Sequence, residues 1–234
     1  MLGYPEKALA SSADSVSMAE RIAHPFTLSL ALTFCAVLHL NRREPERALS
    51  LAEAAKALAA EQRLSLPFEP GMVHGAALVG QRTAEEAIAR IREGVTKSTG
   101  PGRPYGLAFL AEGLARHGDL VGALAALQEG LEIARSSGEH GWDAELHRLA
   151  GTVLLAENKL TEGEASFQQA IRIAQAQQAK SFELRAVRDL ARLWGEQGRR
   201  TEARDLVAPV YSWFTEGFDT ADLKEAKALL DQLA

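Results

Sequence analysis

The sequence predicts an all-α chain: a right-handed α-solenoid of about twelve helices, paired as hairpins, with a capping helix at the C-terminal end. Three observations lead there. Apolar residues recur at spacings of three and four, and no stretch alternates as a half-buried strand does. Ala and Leu dominate a 234-residue chain that is 47% hydrophobic but only 6% aromatic, with eight prolines, a composition that favours helix. Small residues return at a period near 40, and a fixed period in that range marks stacked helical hairpins.

Turn signals cut the chain in order. They are His24-Pro25, Arg43-Glu44-Pro45, Leu66-Pro67, the run 98–104 rich in Gly and Pro, Gly118-Asp119, Ser137-Gly138, Glu157-Asn158-Lys159 and Gly198. Helices are expected near 5–22, 26–41, 44–62, 67–80, 83–97, 103–117, 119–136, 141–157, 161–177, 181–197, 201–214 and 220–233. The last of these, with Asp219 and Thr220 offered as its cap, has an apolar stripe and a charged face, as a terminal capping helix needs.

The second helices of the hairpins align on Ala8, Ala48, Ala87, Ala123, Gly163 and Ala203, at steps of 40, 39, 36, 40 and 40. Twelve residues before the last five lie Ala36, Gly75, Ala111, Gly151 and Ala191, on the first helices. Four and seven residues after come Ala52/Ala55, Ile91/Gly94, Leu127/Gly130, Phe167/Ala170 and Val207/Val210. Two helices approach closely only where side chains are small, and the larger residues further along fill the groove to the next hairpin. The expected organisation is one repeat domain over 1–234. Its repeats lie near 1–24 (a half repeat), 25–64, 65–100, 101–139, 140–179 and 180–217, with the cap at 218–234. Residues 3–8 read as the turn and start of a second helix whose first helix is missing, so the expectation is either a fragment of a chain that continues upstream or a native start with an unusual edge.

This grammar resembles the tetratricopeptide repeat, which has small residues at its eighth, twentieth and twenty-seventh positions and a bulky one at its twenty-fourth. Gly151, Gly163, Phe167 and Ala170 fit those places, as do Ala111, Ala123, Leu127 and Gly130. The repeats depart in length, 36–40 residues rather than 34, and the aromatic expected early in the first helix is replaced by Leu32, Gly71, Leu107, His147 or Val187. Further runs narrow the resemblance: 142–151 (WDAELHRLAG), 191–199 (ARLWGEQGR), 202–211 (EARDLVAPVY) and 213–234. They are similar to the C-terminal repeat region of large bacterial signalling ATPases, in which a nucleotide cyclase or other output domain and an AAA-like ATPase precede a tetratricopeptide tail. The resemblance implies a regulatory tail.

Composition and motifs exclude several classes of chemistry. The formal net charge of -5 is not that of a nucleic-acid binder. The apolar run 28–40 contains Ser, Thr and His and is too short to span a bilayer, and no signal peptide is visible, so neither nucleic acid nor membrane is an expected partner. A single cysteine, Cys35, forms no internal disulfide and fits a reducing, cytoplasmic setting. No G-x-x-x-x-G-K-[ST] loop occurs, and the glycine-rich stretch 100–106 follows no strand, so it reads as a loop between hairpins. No HExxH and no Cys/His cluster has metal-ligand spacing; His74 and His147 fall on packing positions. Glu139, Asp143 and Glu145 are close together near a helix start, where acidic groups complement the helix dipole. No catalytic set, cofactor or metal is expected.

What remains is a binding face. In tetratricopeptide domains the first helices line a concave groove through their second, fifth, ninth and twelfth-to-thirteenth positions. The resemblance places Leu30, Thr33, Val37, Leu40 and Asn41, then Glu69, Met72, Ala76 and Val79, on this groove, giving a mostly apolar first half. The later helices contribute Tyr105, Glu112 and Arg116, then Glu145 and Arg148, then Arg185, Arg188 and Arg192. Tetratricopeptide domains that clamp a peptide C-terminus use basic residues at the fifth and ninth positions of one repeat, which Arg188 and Arg192 match. Guanidinium groups hold carboxylates through paired charge-assisted bonds. Two roles stay open for these arginines: an internal network, in which Arg148 pairs with Glu145 or Glu112 and Arg192 with Asp189 or Glu196, or contact with a partner. Two functions also stay open. One is a non-catalytic interaction and regulatory module for a protein or peptide, acidic ones included, or for another domain of its own chain. The other is a small-molecule sensor controlling an upstream ATPase or transcriptional output.

Overall fold

The computed structural model describes residues 1–66, 68–79, 84–98 and 102–234. Pro67, the stretch 80–83 and residues 99–101 lie outside them, and with them part of the turn at 66–67, the expected limits of two helices and the start of the glycine-rich stretch. Twelve α-helices are present among the described residues: α1 Pro5–Ile22, α2 Pro25–Asn41, α3 Pro45–Glu61, α4 Pro70–Leu78, α5 Ala84–Lys97, α6 Gly102–Arg116, α7 Leu120–Ser137, α8 Asp143–Ala156, α9 Leu160–Ala176, α10 Lys180–Glu196, α11 Arg200–Ser212 and α12 Ala221–Leu233. A 3₁₀ turn, His140–Trp142, leads into α8.

Local chemistry explains most ends. Pro25, Pro45 and Pro70 stand at the starts of α2, α3 and α4, where a missing N–H costs nothing. Pro70 also explains why α4 begins later than expected: the residue before a proline is pushed out of helical geometry, and Glu69 is extended at φ -75°, ψ 120°. At the C-terminal ends the chain turns through a left-handed residue, among them Gly118, Gly198, Arg43, Asn158 and Gln178. The N–H of the next residue then reaches back along the helix. Arg199 donates to the Trp194 carbonyl at 2.8 Å and Lys159 to that of Leu154 at 2.9 Å. Asp119 caps α7 by accepting from the Gly122 N–H at 2.8 Å. Thr220 precedes α12 as expected, but its hydroxyl donates back to the Gly217 carbonyl at 2.6 Å and makes no cap bond.

The chain divides into two compact units, Glu6–Ile133 and a second made of Met1–Pro5 with Ala134–Ala234. In the first, α2 packs on α3, α3 on α4, α4 on α5 and α5 on α6. Ala36, Ala48, Ala52 and Ala55 are wholly buried, and the Ser29 hydroxyl donates to the Ala55 carbonyl at 2.9 Å. A Cβ on Gly75 would lie 2.8 Å from the Ile91 backbone nitrogen, so α4 and α5 touch almost backbone to backbone.

In the second unit α8 packs on α9, α9 on α10, α10 on α11 and α11 on α12. Its core runs from Phe167 and Ala170 through Leu184, Val187, Leu190 and Ala191 to Ala203, Val207 and Val210. Leu223, Ala226, Leu229 and Leu233 of α12 join that core at helical spacing, which covers the last hairpin. Gly151 and Gly163 mark the closest approach of α8 and α9. A Cβ on Gly151 would sit 2.7 Å from the Phe167 ring and 3.0 Å from the Gly163 carbonyl.

Replacing Gly151 by Val therefore has no room to relax except by parting the two helices. Gly151→Val is expected to destabilise the chain by about 1–3 kcal/mol, as overpacking does, read as a lower urea midpoint with the far-UV helical signal retained. An unchanged midpoint would contradict the close-approach reading.

Candidate binding face

In the second unit, five residues expected on the groove fall at one place, but only one of them exposes its charged head. Glu145 and Arg148 come from α8, and Arg185, Arg188 and Arg192 from α10. Arg148 binds Glu145 through two parallel bonds of 2.8 Å and reaches Asp189 at 2.7 Å. Asp189 accepts from Arg188 at 2.9 and 3.1 Å. Arg188 continues to Asp222 at 3.4 Å and Glu225 at 2.8 Å, both on α12. Asp222 binds Arg185 at 2.6 Å, and Arg185 returns to Glu145 at 3.4 Å. The result is a closed ring of alternating sign: Glu145, Arg148, Asp189, Arg188, Asp222, Arg185.

Glu145, Arg185 and Arg188 are buried, and the Arg148 and Asp189 side chains are only 13% and 9% exposed. Of the two roles left open for the arginines, Arg148, Arg185 and Arg188 take the internal one, Arg148 on Glu145 as the network alternative had it. The reason is geometric. The repeat period sets Glu145 beside Arg185 and Arg148 beside Arg188, and α12 lays Asp222 and Glu225 across both arginines. Asp222, and Glu225 beside the ring, are the residues that reading the groove positions missed, and Asp189 was read only as a partner of Arg192. The 40-residue offset of Glu145 against Arg185, opposite charges at equivalent places, was the signal for the pairing.

The ring sets its own protonation. Burial alone would push the Glu145 carboxyl up, but the Arg148, Arg185 and Arg188 charges outweigh it and hold the pKa at about 2. Asp189 is likewise pushed up by burial and pulled further down by Arg148 and Arg188, with a net lowering.

Arg192 is held more loosely. It makes the expected ion pair with Asp189, but at 3.9 Å, beyond a hydrogen bond, and its side chain is 53% exposed.

In the first unit, Arg116 and Glu112 form an ion pair of 2.8 Å along one helix face, both reaching solvent. Tyr105 is buried. Its ring meets Phe68 at 5.4 Å and Phe109 at 4.3 Å, and its hydroxyl accepts from the Asn41 amide at 3.4 Å. Phe68 in turn meets Phe34 at 5.5 Å, so four aromatic rings form a row whose end, Phe34, is exposed. His74 and Cys35 are buried on packing positions. Burial, helped by the Lys56 and Arg90 charges, holds His74 below the usual histidine range, with Glu53 at 3.6 Å pulling the other way. Among the described residues no three His, Cys, Asp or Glu side chains come together as metal ligands.

The depressed Glu145 value makes the ring acid-sensitive. Its stabilisation is complete above the unfolded carboxylate value near 4.5 and is lost as pH falls toward the folded value of about 2. The difference corresponds to about 3 kcal/mol. Urea unfolding from pH 7 to pH 2 should show that loss in the natural chain. In Glu145→Gln it should be smaller by about that amount, the variant being already weaker at neutral pH. Parallel pH profiles would remove Glu145 from the ring's energetics.

No protein-family model matches the chain and no curated protein matches its sequence. Its fold is nevertheless shared with solved structures. NprR in complex with its cognate peptide NprX aligns over 97% of this chain and 67% of that one, with a TM-score of 0.70 at 14% identity. The kinesin light chain-like TPR-like repeats of Podosopora anserina align over 81% of this chain and 95% of that one, at 0.55 and 19%. A signal transduction ATPase with numerous domains that carries a tetratricopeptide repeat sensor, from Pyrococcus horikoshii, aligns over 93% of this chain at 0.51 and 12%, and this chain spans 40% of its length. At such identities the likeness is one of fold: the chain is an all-α solenoid of tetratricopeptide-like helical hairpins.

Proposed function

We propose that the chain is a non-catalytic interaction and regulatory module that takes a protein, a peptide or another domain of its own chain on the face of its first helices. We further propose that it is the tail of a larger cytoplasmic bacterial signalling ATPase or nucleotide cyclase. The observation that carries the reading is Arg192, an exposed guanidinium set on a buried and fully paired charge ring. A cation so placed meets a carboxylate without first having to order its support. The NprR structure, similar in fold, holds a peptide, and the similar ATPase from Pyrococcus horikoshii carries its repeats as a sensor; both precedents favour this reading. No helix among the described residues is long and apolar enough to cross a membrane. In this reading Arg148, Arg185, Arg188 and Glu145 position the face, Arg192 contacts an acidic group, and Glu112 and Arg116 frame the corresponding face of the first unit, while Tyr105, expected beside them, is buried and supports that helix from within.

A peptide library selected on the chain should enrich sequences with Asp, Glu or a free C-terminal carboxylate. Arg192→Glu should weaken an enriched peptide about tenfold, the worth of one charge-assisted pair, while Arg172→Glu on α9 should leave it unchanged. Equal binding by Arg192→Glu would remove that residue from the contact, and no enrichment at all would sink the reading.

The aromatic row in the first unit favours a second reading, a small-molecule sensor. Phe34 is about half exposed at the end of a run of tilted and edge-on rings, an apolar surface that an aromatic ligand could extend. Under this reading a metabolite screen by thermal shift finds a compound that raises the melting temperature, and Phe34→Ala suppresses the shift. A screen without a hit counts against it.

A further inference from the structure

Residues Met1–Pro5 belong to the compact unit formed by residues 134–234, although they are its most distant segment in sequence. They lie on it as a short arm, bent at Gly3 and running into α1 at Pro5, with specific seats. The Ser181 N–H, at the start of α10, donates to the Met1 carbonyl at 2.9 Å. Gly3 is buried at φ +95°, and a Cβ there would fall 2.6 Å from the Trp213 ring and 2.8 Å from the Lys180 Cβ. Only glycine fits that place, on both conformational and steric grounds. Tyr4 lays its ring 5.4 Å from that of Trp213, and the Lys180 ammonium sits 5.7 Å from the same indole.

Pro5 fills a notch at Gly217, in the turn between α11 and α12. A Cβ on Gly217, itself at φ +76°, would lie 2.0 Å from the proline ring. The acceptor side is therefore as shaped as the arm: a backbone donor, an indole platform and a glycine notch, taken in turn by a carbonyl, a Gly-aromatic step and a proline. By contrast, the Met1 and Leu2 side chains are 51% and 61% exposed and contribute little to the fit.

We infer that Ser181, Trp213 and Gly217 form an acceptor site for a peptide of the pattern Gly-aromatic-Pro, bent at its glycine, which the chain's own residues 1–5 hold closed. The partner is a protein segment of that pattern, and it enters by displacing the arm. A tethered arm competes at the high effective concentration that a short connection gives, so the free site is seen only when the arm is weakened. The inference is separate from the proposed role of Arg192, which uses another part of α10.

The test uses the whole chain and a fluorescent peptide with the sequence of residues 1–8. In a Gly3→Glu/Tyr4→Ser double variant, which cannot seat its arm, the peptide should bind saturably by fluorescence anisotropy. Its affinity for the natural chain should be at least about tenfold lower. A peptide with Val for its glycine should not bind the variant. The inference is overturned if the double variant, still cooperative in melting, does not bind, or if it and the natural chain bind equally. Should the variant lose cooperative melting, the natural chain decides. At high concentration a peptide carrying a photoreactive group in place of the tyrosine should crosslink within 211–218, and crosslinking elsewhere or none overturns the inference.

Discussion

The structure depends on how closely its helices approach one another. Where α4 meets α5 and α8 meets α9 the crossing is made by residues with almost no side chain, Gly75 against Ala87 and Gly151 against Gly163, and Ala36, Ala48, Ala191 and Ala203 hold the equivalent places in two other hairpins. All of these are buried. Backbones brought this near gain dispersion along their whole length, and they leave a groove beside the crossing for a single larger residue, Phe167 in one hairpin and Val207 in the next. This is how a chain with so few aromatics builds a continuous core. It also explains why side-chain caps are scarce: the turns are fixed by left-handed residues and backbone bonds that reach back into the preceding helix.

The charge ring is a consequence of that spacing. Three arginines and three carboxylates out of water are costly, and a well-packed apolar set is often as stable. What the ring supplies is position. The apolar stripe of α12 alone, Leu223, Ala226, Leu229 and Leu233, tolerates sliding along the groove it covers. Asp222 accepting from both Arg185 and Arg188 does not. Removing one member leaves an opposite charge buried and unpaired, so each depends on the rest. The ring thus turns a generic cap into one with a fixed register against α8 and α10.

Much of this was legible in the residues. Helix limits fall within a residue or two of where periodicity and turn residues put them, because those signals are local. The exceptions are instructive: α4 is trimmed by Pro70, and Thr220 donates its hydroxyl backward instead of capping. The small-residue register was legible because steric demand at a crossing admits so few residue types. The fate of the arginines was not. Their backbone positions follow from repeat spacing, but whether a head is free depends on which carboxylates other helices bring, and Asp222 arrives from a capping helix outside the repeat. The arm was read only as a turn before α1. Its seat is built from Trp213 and Gly217, more than two hundred residues away, and no local pattern announces such a contact.

The ring also bears on how a partner would be read. Its six members sum to no net charge, Glu225 adds a negative one beside Arg188, and Arg192 adds the exposed positive one. Such a face has little field to steer an acidic partner from a distance, since a lone surface charge is screened within about 8–10 Å at physiological salt. Recognition of a carboxylate there would have to come from direction: a planar guanidinium mounted on a base of paired charges, meeting an acceptor at bonding distance. The pairing that builds its support is also what makes its neighbours unavailable. Of the two arginines that match the peptide-clamp positions, Arg188 is buried in the ring and Arg192 alone is exposed.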